Sequence, residues 1–201
     1  MYTKEQIEKA VKSKGYVWFN GSNEKGYDVN IVGVRNNSPS TYKKVTNVFD
    51  DYITLTFKDE NGVIQYYCWS ATTDPGKKGV QQFHNSKGVA RLIPGQYRGV
   101  WALDKHQGKY EALCQRNGNV DVWRDGNKDL IFDEIVKDCG MFGINIHKAG
   151  QDSMWVENWS EGCQVFKRVK DFDEFMKICR KASKIWGNKF TYTLIESNDI
   201  K

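Results

Sequence analysis

The chain has 201 residues, a net charge of +5 and no apolar run approaching 18 residues. That excludes a helical membrane span and fits one domain able to bury its own core without metal or disulfide staples. The 30 Lys and Arg are scattered rather than clustered, so nothing points to a nucleic-acid partner, and five cysteines without a Cys-x-x-Cys pair argue for free thiols made in a reducing compartment.

Thr3 with Gln6 forms a capping-box pattern, Ile7 and Val11 share one face, and Gly15 supplies a stop, which predicts a helix over residues 1–15. A strand-like segment follows at Tyr16 to Phe19. Apolar and polar residues then alternate through Tyr27 to Arg35, Val45 to Phe57 and Val63 to Trp69, as in half-buried strands. Asn61-Gly62 between the last two is a hairpin signal, and Asn117-Gly118 reads as another. Gly88 to Ile93, Gly99 to Leu103, Tyr110 to Gln115, Val120 to Trp123 and Phe142 to His147 continue the strand pattern. In the last of these, Phe142, Ile144 and Ile146 face one way, and Asn145 and His147 the other.

Near the C-terminus the period changes. Phe172, Phe175, Met176, Cys179, Ala182 and Trp186 recur at helical spacing between Asp171 and Gly187, predicting a core-facing helix over 171–187. A last strand runs from Phe190 to Ile195. Trp18, Trp69, Trp101 and Trp123 lie in strand-like runs and are expected in the core. The expected architecture is a single mostly-β (α+β) domain over residues 1–201.

Chemistry concentrates in the third quarter. His147 ends the alternating run Gly143 to His147, and Cys163 follows 16 positions later behind Ser160-Glu161-Gly162. A thiol becomes a strong nucleophile when a neighbouring imidazole takes its proton, and a glycine turn before it exposes backbone N–H groups that suit a developing oxyanion. Between them, Lys148 to Trp159 reads as a loop walling a groove, with Trp155 and Trp159 as its aromatic faces.

Gly143 to His147 and Ser160-x-Gly162-Cys163 resemble the catalytic segment of L,D-transpeptidases of the YkuD-like family, which carry a strand-end His, a variable loop and a Ser-His-Gly-Cys motif. The resemblance covers about a tenth of the chain. It implies Cys163 as nucleophile, His147 as general base, the carbonyl of Lys148 as the group orienting the imidazole, and an oxyanion hole from the N–H groups of Gly162 and Cys163, with Ser160 in the same catalytic turn. The family's upstream turn has a counterpart in either Thr73-Asp74-Pro75-Gly76 or Ile93-Pro94-Gly95-Gln96-Tyr97. Glu161 stands where the family has its second His, and Gln164-Val165 replaces the residues that usually follow the Cys. A carboxylate at 161 would raise the basicity of a nearby His or bind an amine of the substrate; Trp159, Trp155 and Asn145 complete the expected binding set.

The implied reaction is cysteine-dependent acyl transfer on peptidoglycan stem peptides, with no cofactor and no metal. Hydrolysis by a carboxypeptidase or endopeptidase is favoured slightly over transpeptidation. No signal peptide opens the sequence, which suggests synthesis in the cytoplasm and action on the cell wall after release or as part of a virion, as in bacteriophage lysis enzymes. Two rivals remain: a non-catalytic wall-binding or virion protein retaining the fold, and a zinc hydrolase using His106, His147 and an Asp. A catalytic Cys163 is expected to have a low apparent pKa and to alkylate faster than the other thiols. Asp125-x-Asn127-x-Asp129 with Asp133 and Glu134 resembles part of a calcium loop, but Leu130 stands where that loop needs Gly, and an exposed polar turn is the simpler reading.

Overall fold

A computed structural model of the chain describes residues 1–21, 25–41, 43–133 and 136–201. In chain order its elements are α1 (Lys4–Ser13), β1 (Asn30–Arg35), β2 (Asp51–Lys58), β3 (Ile64–Thr72), α2 (Lys77–Gln81), β4 (Val89–Leu92), β5 (Gly95–His106), β6 (Tyr110–Gln115), β7 (Val120–Asp125), β8 (Lys137–Gly140), β9 (Ile146–Lys148), β10 (Gln164–Phe166), α3 (Val169–Trp186) and β11 (Phe190–Glu196). Eight strands close a barrel in the order β1-β11-β5-β6-β9-β10-β3-β2, and β4-β7-β8 form a separate three-stranded sheet. The protein is mostly β with three α-helices, in agreement with the α+β expectation, and among the described residues no helix is long and apolar enough to cross a membrane.

The barrel closes because alternation along its strands puts one set of side chains inside. Ile31, Ile53, Leu55, Trp101, Leu113, Ile146, Phe166 and Leu194 are all buried in one cluster. Phe172, Phe175, Met176, Cys179 and Ala182 of α3 join it. Each fully buried large apolar side chain contributes roughly 1.5–3 kcal/mol. α1 packs Ile7, Ala10 and Val11 on the outer face of β1 and β11, against Val32, Val34 and Ile195. Its capping box forms as the sequence predicts: Thr3 N donates to Gln6 Oε1 at 2.9 Å and Gln6 N to Thr3 Oγ1 at 3.3 Å.

The structure departs from the sequence pattern at several points. The β2–β3 hairpin turns at Asn61-Gly62, where Gly62 has φ +76°. Asn117-Gly118 is not a hairpin, because β6 stays in the barrel while β7 pairs with β4 and β8. The hairpin leaving β5 turns at Gln107-Gly108 instead, both at positive φ. Residues 16–19 form no strand; Val17 N and Phe19 N donate to the side chains of Gln96 and Asn30. Only residues 146 and 147 of the segment 142–147 are strand, and residues 45–50 are irregular. Trp69 and Trp101 are buried as expected, whereas Trp18 and Trp123 are half-buried and Trp186 is exposed. All five cysteines are free.

For the site, the decisive pairing is β9 with β10. They run parallel, with Ile146 opposite Gln164 and His147 opposite Val165. Facing residues of paired strands project to the same side. Ile146 and Gln164 therefore point into the barrel, where Tyr192 donates its hydroxyl to Gln164 Oε1 at 2.9 Å. His147 and Val165 point outward, and so, one step earlier, do Asn145 and Cys163.

Candidate active site

Register alone brings the expected base and nucleophile to one face. His147 is buried at 3% exposure. Its Nδ1 lies 2.9 Å from the Lys148 carbonyl and 3.3 Å from the Tyr110 hydroxyl, which also donates to that carbonyl. A carbonyl accepts only, so Nδ1 carries the proton and Nε2 is left with its lone pair. Burial, with His106 close by, lowers the imidazole to about 3, so His147 is neutral at physiological pH.

Cys163 is half-buried. Its sulfur accepts from Asn145 N at 3.4 Å, and its S–H donates to Gly143 O at 3.5 Å. Among the described residues no hydrogen bond joins it to His147. Burial pushes the thiol up to about 11; the Asn145 N–H works against this, while Cys114 and Glu161 add to it. That corrects the expectation of a low-pKa thiol. A preformed thiolate–imidazolium pair needs the reverse order of acidities, and the resting pair here is neutral on both sides.

The turn carrying Cys163 is clamped on two sides. Gly76 N donates to Ser160 O and Ala90 N to Glu161 O, each at 3.0 Å. Gly162 has φ +142°, and a Cβ there would overlap the Ala90 carbonyl oxygen, so the position requires glycine. Buried Ser160 donates its hydroxyl to Cys163 O at 2.8 Å and accepts from Gly162 N at 3.1 Å. The Gly162 N–H, expected as an oxyanion donor, is thus held by Ser160. For the Cys163 N–H no acceptor is found among the described residues.

The binding residues sort differently. Trp159 packs with Phe49, Ala149, Val156, Val165 and Cys163 in a small cluster, and its ring fills the space a Cβ at Gly150 would take. Trp155 is 52% exposed. Asn145 does not face a groove: it is 7% exposed, and its amide is held by the Gln115 N–H at 3.0 Å and by His106 Nδ1 at 3.0 Å. Glu161 does find a histidine, but it is His84, at 2.7 Å from Nδ1, and not His147. His106 stacks on His147 with ring centroids 4.1 Å apart and planes at 21°. Their nitrogen lone pairs lie in near-parallel planes and do not converge on one point, contrary to what a shared zinc ion needs. Among the described residues no cluster of three or more metal-ligating side chains occurs. Asn127 and Asp129 close a polar turn on each other; Glu134 of the calcium-loop pattern lies outside the described residues.

Sequence reading missed one assembly. Arg35, fully buried, and Arg91 each place Nε 2.8 Å from Asp74 Oδ1. Arg35 also donates to Leu92 O and Thr73 O. Asp51 accepts from the N–H groups of Asn36 and Thr73, both at 2.6 Å. Thr73–Gly76 and β4 are the two clamps on the Ser160–Gly162 turn, so this network ties them together. Burial alone would raise the Asp74 carboxyl, but the two guanidiniums hold it below its ordinary range. Charges spaced 17 to 56 residues apart carry no local pattern; only Asp74, in the turn already singled out, offered a hint.

Comparison with known protein families, curated proteins and solved structures finds no match.

Proposed function

We propose that the protein catalyses thiol-dependent acyl transfer, with Cys163 as nucleophile and His147 as general base. The observation that carries this reading is the neutral imidazole of His147, fixed by the Lys148 carbonyl with Nε2 unprotonated, on the face that also bears Cys163. In the proposed reaction the substrate carbonyl carbon bonds to Sγ while the thiol proton passes to Nε2. The oxyanion takes the Cys163 N–H, and the imidazolium returns its proton to the leaving amine. Water then resolves the thioester, or an amine does so in transpeptidation.

The substrate is taken to be a peptidoglycan stem peptide, because Gly143 to His147 and Ser160-x-Gly162-Cys163 resemble the L,D-transpeptidase segment. Hydrolysis is slightly favoured over cross-linking, with wall-directed action after release or within a virion. The test is incubation of wild type and Cys163→Ala with purified muropeptides, reading products by mass. Loss of a terminal residue or of a cross-link by wild type alone supports hydrolysis, and a gained cross-link supports transpeptidation. No product with either protein refutes the reading.

A second reading, a non-catalytic binding or virion protein, is favoured by the raised thiol and by the Gly162 N–H held on Ser160. Binding of muropeptides equal in wild type and Cys163→Ala, without turnover, supports it.

A further inference from the structure

His106 enters neither the proposed chemistry nor the barrel core, yet it is buried at 7% exposure against His147 and one residue, Asn145, away from Cys163. It is the last residue of β5, opposite Tyr110 in the hairpin. Its ring stacks on His147, and its Nδ1 lies 3.0 Å from Asn145 Nδ2. The direction of that hydrogen bond is fixed. Asn145 Oδ1 accepts from Gln115 N at 3.0 Å, so the other end of the amide is its NH2 and donates. His106 Nδ1 must therefore be an acceptor, and the ring is the neutral Nε2–H tautomer. Asn145 in turn gives its backbone N–H to the Cys163 sulfur.

Resting on the Cys163–His147 reading, we infer that His106 is a positioning residue for that pair. As a neutral acceptor it holds Asn145 beneath the Cys163 sulfur and keeps the His147 ring in plane, and protonation of His106 releases both.

The physical reason is donor–donor conflict. A proton on His106 Nδ1 faces the Asn145 NH2, whose reversal would turn Oδ1 away from the Gln115 N–H and leave a buried donor unpaired. A second positive ring against His147 is unfavourable as well. The groups around His106 agree in direction. Lys109 in the hairpin and Arg116 just after β6 oppose its protonation, as burial does first. Tyr110 on β6, Asn145 just before β9 and His147 on β9 are neutral, as are Cys114 and Cys163 on the same face. Asp104, two residues back on β5, is paired with Arg116 at 2.6 Å.

The test uses the full chain and 2,2′-dipyridyl disulfide, a thiol probe that also reacts in acid, with peptide-level mass readout from pH 4 to 9. Wild type is compared with His106→Asn, His106→Phe and His147→Ala. Asn at 106 places an amide oxygen where Nδ1 was and does not titrate. The expected result is near wild-type Cys163 reactivity for His106→Asn at pH 7, with the acid-side fall of the wild-type profile abolished. His106→Phe loses the acceptor and is expected to react about tenfold more slowly at pH 7, as for one lost buried hydrogen bond, while exposed Cys139 is unchanged. Long-range imidazole NMR should show His106 protonated at Nε2 and His147 at Nδ1. If all three proteins with His147 intact share one pH profile, or His106 is protonated at Nδ1 at pH 7, the inference is overturned. If His147→Ala also leaves Cys163 reactivity unchanged, the underlying Cys–His reading fails with it; if His147→Ala alone alters reactivity, only the role of His106 falls.

Discussion

Asp74→Ala is expected to be the most destabilising polar substitution in the chain. It removes a carboxylate that both Arg35 and Arg91 contact, at 2.8 Å each, with guanidinium-bearing side chains 0% and 10% exposed. Burying a charge without a partner is far worse than leaving the pair out altogether, and breaking such a pair from one side costs about 3–5 kcal/mol. For a chain of about 200 residues each kcal/mol shifts the melting temperature by roughly 2–4 °C, which gives a drop of about 6–20 °C in thermal unfolding followed by circular dichroism. Arg91→Met added to Asp74→Ala removes one uncompensated charge, so the double variant should lose less than the sum of the singles. Asp74 also joins the Thr73–Gly76 turn to β4, the two supports of the Cys163 turn, so the reaction rate of Cys163 should change in the folded variant. A melting shift under about 2 °C with additive single effects would refute the clamp.

Five further outcomes are expected. Gly162→Ala should cost about 1–3 kcal/mol through strain at φ +142° and should alter Cys163 alkylation. Gly143→Ala, at φ +72° with open space around it, should cost only about 1–2 kcal/mol. In peptide-resolved iodoacetamide labelling of the free protein at pH 7–8, exposed Cys139 should react ahead of Cys163, whose thiol burial pushes up to about 11; labelling of Cys163 first would contradict the resting geometry. Denaturant titrations should show two opposed pH dependences. His147, lowered to about 3 in the fold, contributes stability that is present above about 6.5 and lost as pH falls toward 3, and His147→Gln should remove that fall. Asp51, raised to about 7 chiefly by burial and by the neighbouring Asp74, contributes stability that is present below about 4 and lost as pH rises toward 7, and Asp51→Asn should remove that loss.

What was readable in the sequence was whatever is written in local periods. The Thr3–Gln6 box, the Phe172–Ala182 stripe and the Asn61-Gly62 turn each depend on residues within a few positions, and each appears in the structure. The opposite faces of Ile146 and His147 follow from the same period of two. Asn117-Gly118 misled because turn chemistry reports a bend and not which sheet the next strand joins; β7 leaves for the second sheet after Arg116 and Asn117 donate to Val100 O. Trp186 follows the helical period of α3, but its indole N–H needs an acceptor and finds the Gly26 carbonyl at 2.8 Å, which leaves the ring 38% exposed. Nothing local could tell that Arg35, Asp74 and Arg91 meet, or that Glu161 pairs with His84 across 77 residues.

The resting arrangement constrains how the proposed reaction can run. The S–H is directed at Gly143 O and the imidazole is neutral, so the thiol is not stored as an anion. With His147 lowered and Cys163 raised, free proton transfer between them is strongly uphill. The transfer becomes favourable only as the carbon–sulfur bond forms and the charge moves to the substrate oxygen. The catalytic load therefore shifts to the oxyanion site, where the Cys163 N–H is the donor at hand and the Gly162 N–H joins only if Ser160 lets go of it. Ser160→Ala separates the two cases. If the Ser160 contact withholds a donor, the variant frees Gly162 N–H and turnover of muropeptides rises despite a stability loss of about 1–2 kcal/mol. If Ser160 instead sets the turn through its hydrogen bond to Cys163 O, turnover falls and the one-donor account of the oxyanion site stands.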